Sequence, residues 1–148
     1  MKLKNIEGIK NIIFDLGNVV LDLDTEATKQ DFKFLYGPEY KSVMADLKER
    51  KIFKKFETGS ISTQTFLNEL ASYDEDISFD EIKNAWNAML LEIPLKKLEF
   101  IHGLKKDYNV FLLSNTNEIH IKRFEDDLRK KNVLKKFYEC FDKVYYSS

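Results

Sequence analysis

Two groups of polar side chains, far apart in the sequence, are of the types that handle phosphate. Asp15 directly follows the apolar residues 12–14, and Ser114 and Asn115 directly follow the apolar residues 110–113. A carboxylate can attack phosphorus to give an aspartyl phosphate, while a hydroxyl and an amide at a helix N-terminus can hold phosphate oxygens. Because carboxylate and phosphate are both negative, we expect a divalent cation between them.

Each group also has a structural interpretation when it is taken alone. Asp15 precedes the turn-forming pair Gly17 and Asn18, so it could cap a turn, and residues 114–117 could cap the next helix. In an open parallel sheet, however, ligands bind beyond the carboxyl ends of the strands. If the two strands are neighbours, Asp15 and Ser114 share one site, and this coincidence favours phosphate chemistry.

The elements that must position these side chains follow from the hydrophobic pattern. Apolar runs predict strands at residues 12–14, 110–113 and 143–146, with helix-period patterns before and after the second strand. Parallel strands need helical crossovers, so this order predicts an α/β fold with a parallel sheet. Residues 24–93 contain no strand pattern and are predicted to be an inserted all-helical cap. The core would then comprise residues 1–23 and 94–148.

Capping residues predict where the helices of the inserted block begin. Thr25 and Ser62 are candidate N-caps, and Ser78 with Glu81 has the spacing of a capping box. From residue 40 an amphipathic pattern continues until Gly59, which is predicted to stop the helix.

Composition excludes several classes of partner. The chain has 148 residues, 43% of them apolar, which suffices for one domain with an insertion. Lys plus Arg (24) nearly balances Asp plus Glu (25), so no broad field favours nucleic acid or an anionic membrane. Cys140 is the single cysteine and is expected to be a packing residue. No apolar run is long enough for a membrane span, and we expect a cytoplasmic protein.

Other residues that can carry chemistry have simpler interpretations. His102 and His120 have no spacing typical of a metal pair and are predicted to be structural or at the surface. Trp86 lies on the apolar period of its helix and is predicted to belong to the cap interior. Three further aromatic residues of the cap are candidates to face the site and select the substrate: Tyr36, Phe53 and Phe56.

The motifs resemble those of a known family. Asp-Leu-Gly-Asn-Val at residues 15–19 and the later Ser-Asn-Thr at residues 114–116, each after an apolar run, resemble motifs one and two of the haloacid dehalogenase (HAD) superfamily. Residues 56–62 and 85–90 resemble the helical cap of its FDLGNV branch, which includes sugar-1-phosphate phosphatases. The resemblance spans about residues 9–148. It implies a Rossmann-like core with an inserted cap, and magnesium-dependent hydrolysis of small phosphorylated metabolites such as sugar phosphates.

The resemblance also implies a role for individual residues. Asp15 would be the nucleophile and a magnesium ligand, and the backbone carbonyl of Gly17 would be a second ligand. Ser114 would bind the transferring phosphoryl group, with Asn115 beside it.

One departure from the family pattern is at Gly17. Most phosphatases of the superfamily have at this position a second Asp, which acts as general acid and base. Its absence suggests a substrate with a relatively acidic leaving group, such as an anomeric hydroxyl. Asp22 and Asp24 follow closely, but they would lie at the entrance to the cap, so a proton-transfer role is less expected of them.

A second departure follows the third strand, where the family has a phosphate-binding lysine and an acidic pair that binds magnesium. These motifs are not in this sequence, which leads us to expect the N-terminal portion of a longer hydrolase, with an incomplete core sheet. Alone, it should have little turnover and weak or absent magnesium affinity. The sheet edge beside the strand of Asp15 would be unpaired, which favours self-association.

Two alternatives to phosphate hydrolysis stay open at this point. Hydrolysis of carbon–halogen bonds also uses an Asp nucleophile in this superfamily, and it differs in metal dependence and in releasing halide. A non-catalytic interaction or regulatory module on the same scaffold would account for Gly17 and for the absent motifs.

Overall fold

Three parallel strands form the sheet of the computed structural model, which describes residues 8–147. They are β1 (Asn11–Phe14), β2 (Asn109–Ser114) and β3 (Lys143–Tyr146), in the order β1-β2-β3. Phe14 pairs with Leu112, so the strand that precedes Asp15 and the strand that ends in Ser114 are neighbours, which is the condition for a shared site. Residues 1–7 and 148, which were assigned to the core, lie outside the described residues.

Helices make up most of residues 25–87 and of the crossovers on either side of β2, while residues 15–24 form a turn and a linker. The cap helices are α1 (Thr25–Tyr36), α2 (Tyr40–Glu49), α3 (Ile52–Glu57), α4 (Thr63–Ala71) and α5 (Phe79–Asn87), with a 3₁₀ turn at Gly37–Glu39. The core helices are α6 (Leu95–Leu104), α7 (Glu118–Lys130) and α8 (Leu134–Glu139). The α/β class with an inserted helical cap is therefore confirmed. Among residues 8–147, no helix combines the length and apolarity needed to cross a bilayer.

Two separate hydrophobic clusters stabilise the chain. The first covers one face of the sheet, where Val110 and Leu112 of β2 are fully buried against α6, α7 and α8. It includes Cys140, which is also fully buried, and burial raises the pKa of its thiol, as expected of a packing residue. The second cluster consists of cap residues together with Ile119 of α7, and it is rich in aromatic rings, with Phe66 at its centre. Each cluster removes apolar surface from water independently of the other.

The helix starts of the cap agree with the capping residues in two of three cases. Ser62 caps α4, and Ser78 with Glu81 forms the capping box of α5. The prediction for α1 was one residue off, since Asp24 is the N-cap in place of Thr25. Asp24 has extended backbone angles, and its carboxylate accepts a hydrogen bond from the backbone N–H of Glu26 at 3.0 Å.

The amphipathic pattern that runs to Gly59 is interrupted at Lys51. This residue has a φ of 57°, in the left-handed region, and it separates α2 from α3. The turn directs Ile52 and Phe56 into the cap interior, where each is 3% exposed. Periodicity did not reveal the break because the apolar residues on both sides still face the same cluster.

The two linkers between core and cap run side by side. Leu23 forms an antiparallel bridge with Leu90. The backbone N–H of Asp22 donates to the carbonyl of Glu92 at 3.0 Å, and that of Asp24 donates to the carbonyl of Met89 at 2.8 Å. The cap therefore leaves and rejoins the core at one place.

The sheet face opposite the core helices is apolar and exposed among the described residues. Ile13 is 64% exposed, Leu113 56% and Tyr145 44%. Parallel sheets are normally covered on both faces, so an exposed apolar face is unusual for a sheet of this type.

Candidate active site

The carboxyl ends of β1 and β2 bring the two predicted groups of side chains to one edge of the sheet. Because Phe14 pairs with Leu112, Asp15 is level with Leu113 and Ser114 lies one residue further along. Neighbouring strands are about 4.8 Å apart. The Asp15 side chain is exposed, whereas Ser114 is 5% exposed.

A tight turn directly after β1 orients the carboxylate of Asp15. Its Oδ1 accepts a hydrogen bond from the backbone N–H of Leu16 at 2.7 Å. The carbonyl of Leu16 then accepts from the N–H groups of Val20 and Leu21, at 2.9 and 2.8 Å. The chain thus reverses within a few residues, which keeps Asp15 at the sheet edge.

Gly17 lies in this turn, close to the linker that enters the cap. A Cβ atom at this position would come within 2.9 Å of Leu23 Cδ1, so any side chain here requires Leu23 to move. The two acids considered as substitutes have structural contacts. Asp22 pairs with Lys97 at 2.6 Å, and Asp24 caps α1.

The segment from Ser114 to α7 is held in place by its last residue. Asn117, 2% exposed, is the N-cap of α7, and its Oδ1 accepts from the backbone N–H of His120 at 3.1 Å. The capping role considered for residues 114–117 as a group therefore falls to Asn117. Ser114 and Asn115 precede the helix at its positive end.

Ser147 is a residue of the site that the sequence analysis missed. Its Oγ accepts from the backbone N–H of Thr116 at 3.1 Å and lies 2.8 Å from Oδ1 of Asn115, to which it can donate. Its own N–H donates to the carbonyl of Ser114 at 3.1 Å. The sequence could have indicated Ser147, because it directly follows β3 as Asp15 directly follows β1. Ligands bind beyond the carboxyl ends of all the strands of a parallel sheet.

The histidines have the structural roles expected of them. His102 is exposed on α6. His120 is 8% exposed, stacks on Trp86 and lies with Nδ1 2.9 Å from Oδ1 of Asn87. Burial lowers the pKa of His120 to about 4, so its ring is neutral near pH 7.

A cavity of about 480 Å³ lies where the cap meets the core. Thr63 of the cap donates to the Glu118 carboxylate of the core across it, at 2.7 Å. Of the three cap aromatics considered for substrate selection, Phe56 lines the cavity. Tyr36 is buried in the cap and donates to the carbonyl of Leu70, and Phe53 stacks on Trp86. The lining residues are Phe56, Thr58, Gly59, Ile61, Ser62, Thr63, Glu118 and Ser147.

The residues assigned to magnesium suit that ion in type. Asp15 offers a carboxylate and Gly17 a backbone carbonyl, and magnesium prefers such oxygen ligands. Within residues 8–147, no group of three or more His, Cys, Asp or Glu side chains is arranged to hold a metal ion. The described residues therefore supply a partial ligand set.

A curated relative has a related sequence. No protein-family model matches the chain. D-ribitol-5-phosphate phosphatase from Bacteroides thetaiotaomicron is 36% identical over 110 residues, which are 74% of this chain and 53% of that protein. The chain therefore spans about half the length of this curated relative.

Solved structures share the fold. A HAD family enzyme from Bacteroides thetaiotaomicron superposes with a TM-score of 0.78 and 31% identity, over 95% of this chain and 70% of that one. The same enzyme in complex with magnesium and inorganic phosphate gives a TM-score of 0.72 and 34% identity, over 95% and 69%. A HAD-like family hydrolase from Porphyromonas gingivalis gives 0.73 and 32%, over 94% and 66%. These proteins resemble the chain in both sequence and architecture.

Proposed function

Since the chain belongs to the haloacid dehalogenase superfamily, we propose that it is a magnesium-dependent phosphatase of small phosphorylated metabolites, sugar phosphates among them. The observation that carries the proposal is that Asp15 and Ser114 lie at the same carboxyl edge of two neighbouring parallel strands. The name of the curated relative, a phosphatase, and the solved complex of a HAD family enzyme with magnesium and inorganic phosphate favour phosphate esters over halogenated substrates.

The proposed reaction begins at the Asp15 carboxylate. One of its oxygens attacks phosphorus, the bond from phosphorus to the ester oxygen breaks, and the alcohol leaves while Asp15 becomes an aspartyl phosphate. Water then attacks the phosphorus, which releases inorganic phosphate and restores the carboxylate. Ser114 and Asn115 hold the phosphoryl oxygens. Ser147 fixes the backbone of that segment and the side-chain amide of Asn115 through the hydrogen bonds described above.

Protonation of the leaving oxygen is the step for which the chain has no assigned residue. Gly17 has no side chain, and Asp22 is paired with Lys97. The leaving oxygen therefore takes its proton from water, which favours an acidic leaving group such as an anomeric hydroxyl. We therefore propose sugar 1-phosphates as the preferred substrates, in contrast to the curated relative D-ribitol-5-phosphate phosphatase, whose name gives the ester of a primary alcohol.

Magnesium would be held by the Asp15 carboxylate and the Gly17 carbonyl oxygen. When bound, it offsets the negative charge that carboxylate and phosphate bring together. Asp15 is the single charged ligand of the two, and water would fill the other positions around the ion, so this chain alone is expected to bind magnesium weakly and to turn over slowly.

The substitution Asp15→Asn tests the proposal, with Asp107→Asn as the matched control. Asp107 is exposed and precedes β2, at the opposite edge of the sheet. Calorimetric titration of the wild-type chain with magnesium and inorganic phosphate should show weak binding, which Asp15→Asn abolishes and Asp107→Asn preserves. Any phosphate release from a sugar 1-phosphate should fall at least about a thousandfold in Asp15→Asn. Binding and turnover that survive in Asp15→Asn would contradict the assignment.

Further proposals concern the whole protein. The division into a core of residues 1–23 and 94–148 and a cap of residues 24–93 is supported by the two separate hydrophobic clusters. Self-association through the β1 edge is supported by the strand order, in which β1 has one neighbour among the described strands, and the exposed Ile13 adds apolar surface on the adjoining sheet face. The cytoplasmic location and the lack of nucleic-acid or membrane partners stay predictions that rest on Cys140 and the charge balance.

A further inference from the structure

Cap and core meet through a buried polar cluster that is separate from the linkers. On the cap side, Trp86 and Asn87 end α5, and each is 6% exposed. On the core side, Asn117 precedes α7 and His120 lies in its first turn, at 2% and 8% exposure. Buried polar groups are costly unless they are hydrogen-bonded, so the pairing of these side chains constrains how the two parts fit.

Three contacts join the cap side of the cluster to the core side. Trp86 Nε1 donates to Asn117 Oδ1 at 3.4 Å, and His120 Nδ1 lies 2.9 Å from Asn87 Oδ1. The rings of Trp86 and His120 stack with centroids 5.1 Å apart and planes 10° apart. An amide oxygen can only accept, so the imidazole carries its hydrogen on Nδ1.

Asn117 is where this cluster meets the candidate site. The same Oδ1 that accepts from Trp86 also accepts from the backbone N–H of His120, which fixes the start of α7. Ser114, the last residue of β2, and Asn115 come three and two residues earlier. A change in the seating of the cap therefore acts directly on the residue that ends the segment between β2 and α7.

We propose that Trp86, Asn87, Asn117 and His120 form a cap–core latch that sets the geometry of Ser114 and Asn115 according to the seating of the cap. This role rests on the proposed function, in which Ser114 and Asn115 bind the phosphoryl group. Asn117 and His120 are positioning residues, since they act through the segment at residues 114–116. With the latch closed, the two phosphate-binding residues are held for the substrate that the cap encloses.

Asn87→Ala, with Asn84→Ala as the matched control, tests the latch from the cap side. Both residues are on α5, but Asn84 is exposed. Hydrogen exchange of the backbone amides at residues 114–120 is measured by mass spectrometry on the full chain. Asn87→Ala should accelerate this exchange at least fivefold, the lower end of usual coupling between sites, and Asn84→Ala should leave it unchanged. Unchanged exchange in folded Asn87→Ala would overturn the proposal.

Two further variants distinguish loss of the latch contacts from a general loss of structure. Asn87→Asp keeps an acceptor oxygen for His120 and should restore slow exchange at residues 114–120. His120→Asn keeps a donor at the position of Nδ1 and should exchange more slowly than His120→Ala. If the conservative variants exchange as fast as the alanine variants, the latch contacts are not the cause and the proposal fails.

The exchange experiment is independent of catalysis. A wild-type chain that neither binds phosphate nor releases it would count against the proposed phosphatase, while the coupling of the cap to residues 114–120 would still be measured. If the protein hydrolyses a sugar phosphate at a measurable rate, Asn87→Ala should raise KM for that substrate by a larger factor than it lowers kcat. A fall in kcat with KM unchanged would contradict the positioning role.

Discussion

At the residue scale, the proposed substrate preference depends on Gly17. It follows the proposed nucleophile by two residues, and a Cβ there would lie 2.9 Å from Leu23 Cδ1. That atom is the end of a flexible side chain, so a rotation of Leu23 can make room. The absence of an acid is therefore a property of the sequence at this position and is not forced by the backbone.

Gly17→Asp should supply the missing proton donor. We expect it to raise turnover of primary-alcohol phosphates about a hundredfold or more relative to sugar 1-phosphates, in keeping with the usual contribution of general acid catalysis. The rotation of Leu23 should lower the free energy of unfolding by about 1 kcal/mol. Gly17→Asn is the control, since it has nearly the same size without the acid. Equal substrate preference in the two variants, measured by phosphate release, would rule out the general-acid explanation.

His120 should make stability depend on pH. Burial lowers its pKa from 6.5 to about 4, so between these pH values the unfolded chain binds a proton that the folded chain does not. The stabilisation is complete above pH 6.5 and is lost as the pH falls towards 4, by up to roughly 3 kcal/mol. Urea unfolding of the wild type and of His120→Gln at pH 7 and 4.5 measures this difference.

The wild type should lose more stability than His120→Gln between these two pH values. The exposed His102 provides the control, since its ring is in contact with solvent in the folded chain as well. His102→Gln should keep the pH dependence of the wild type. The same dependence in all three proteins would show that His120 does not contribute to it.

At the element scale, the sequence predicted the strands and most of the helix starts, because apolar runs and caps are local signals. Asp15 and Ser114 could be assigned to one site for the same reason, since each follows its strand directly. The break at Lys51 and the contact between His120 and Asn87 depend on how distant segments pack. Neither can be predicted from the local sequence pattern. Ser147 could have been predicted, because it follows β3 directly and the rule that ligands bind beyond the carboxyl ends of parallel strands applies to every strand.

Lys51 should tolerate glycine better than its helical neighbours do. At a φ of 57° a residue with a Cβ is strained by about 1 kcal/mol, and glycine is not. We expect Lys51→Gly to raise the free energy of unfolding by about 0.5–1 kcal/mol, and Lys48→Gly, inside α2, to lower it by about 1 kcal/mol. Thermal and urea unfolding distinguish the two outcomes. A loss of stability in Lys51→Gly similar to that in Lys48→Gly would contradict the left-handed turn.

At the scale of the whole molecule, the sheet is covered by helices on one face alone within residues 8–147. Ile13 and Leu113 are 64% and 56% exposed on the other face, and β1 has a free edge among the described strands. Burying such side chains yields about 25 cal/mol for each Å² of apolar surface. A second copy of the chain can supply this burial, which is the physical basis of the proposed self-association.

Ile13→Lys should reduce this self-association. Sedimentation velocity is expected to show that the wild-type chain forms dimers or larger species with rising concentration, and that Ile13→Lys shifts it towards the monomer. Phe34→Lys is the matched control, because Phe34 is 88% exposed on the cap and the charge change is the same. If the two variants dissociate equally, or if the wild type is monomeric throughout, the sheet is not the interface.

Because the two linkers lie side by side, the cap can be replaced by another insertion. Leu23 and Leu90 lie side by side in the antiparallel bridge, so the two points at which a graft would be joined are adjacent. Replacing everything between them changes one loop of the core, and the entropy of closing a loop grows only slowly with its length. The core can therefore accept a cap of another size without a change in its own topology, so the cap can change in evolution separately from the proposed chemistry at Asp15.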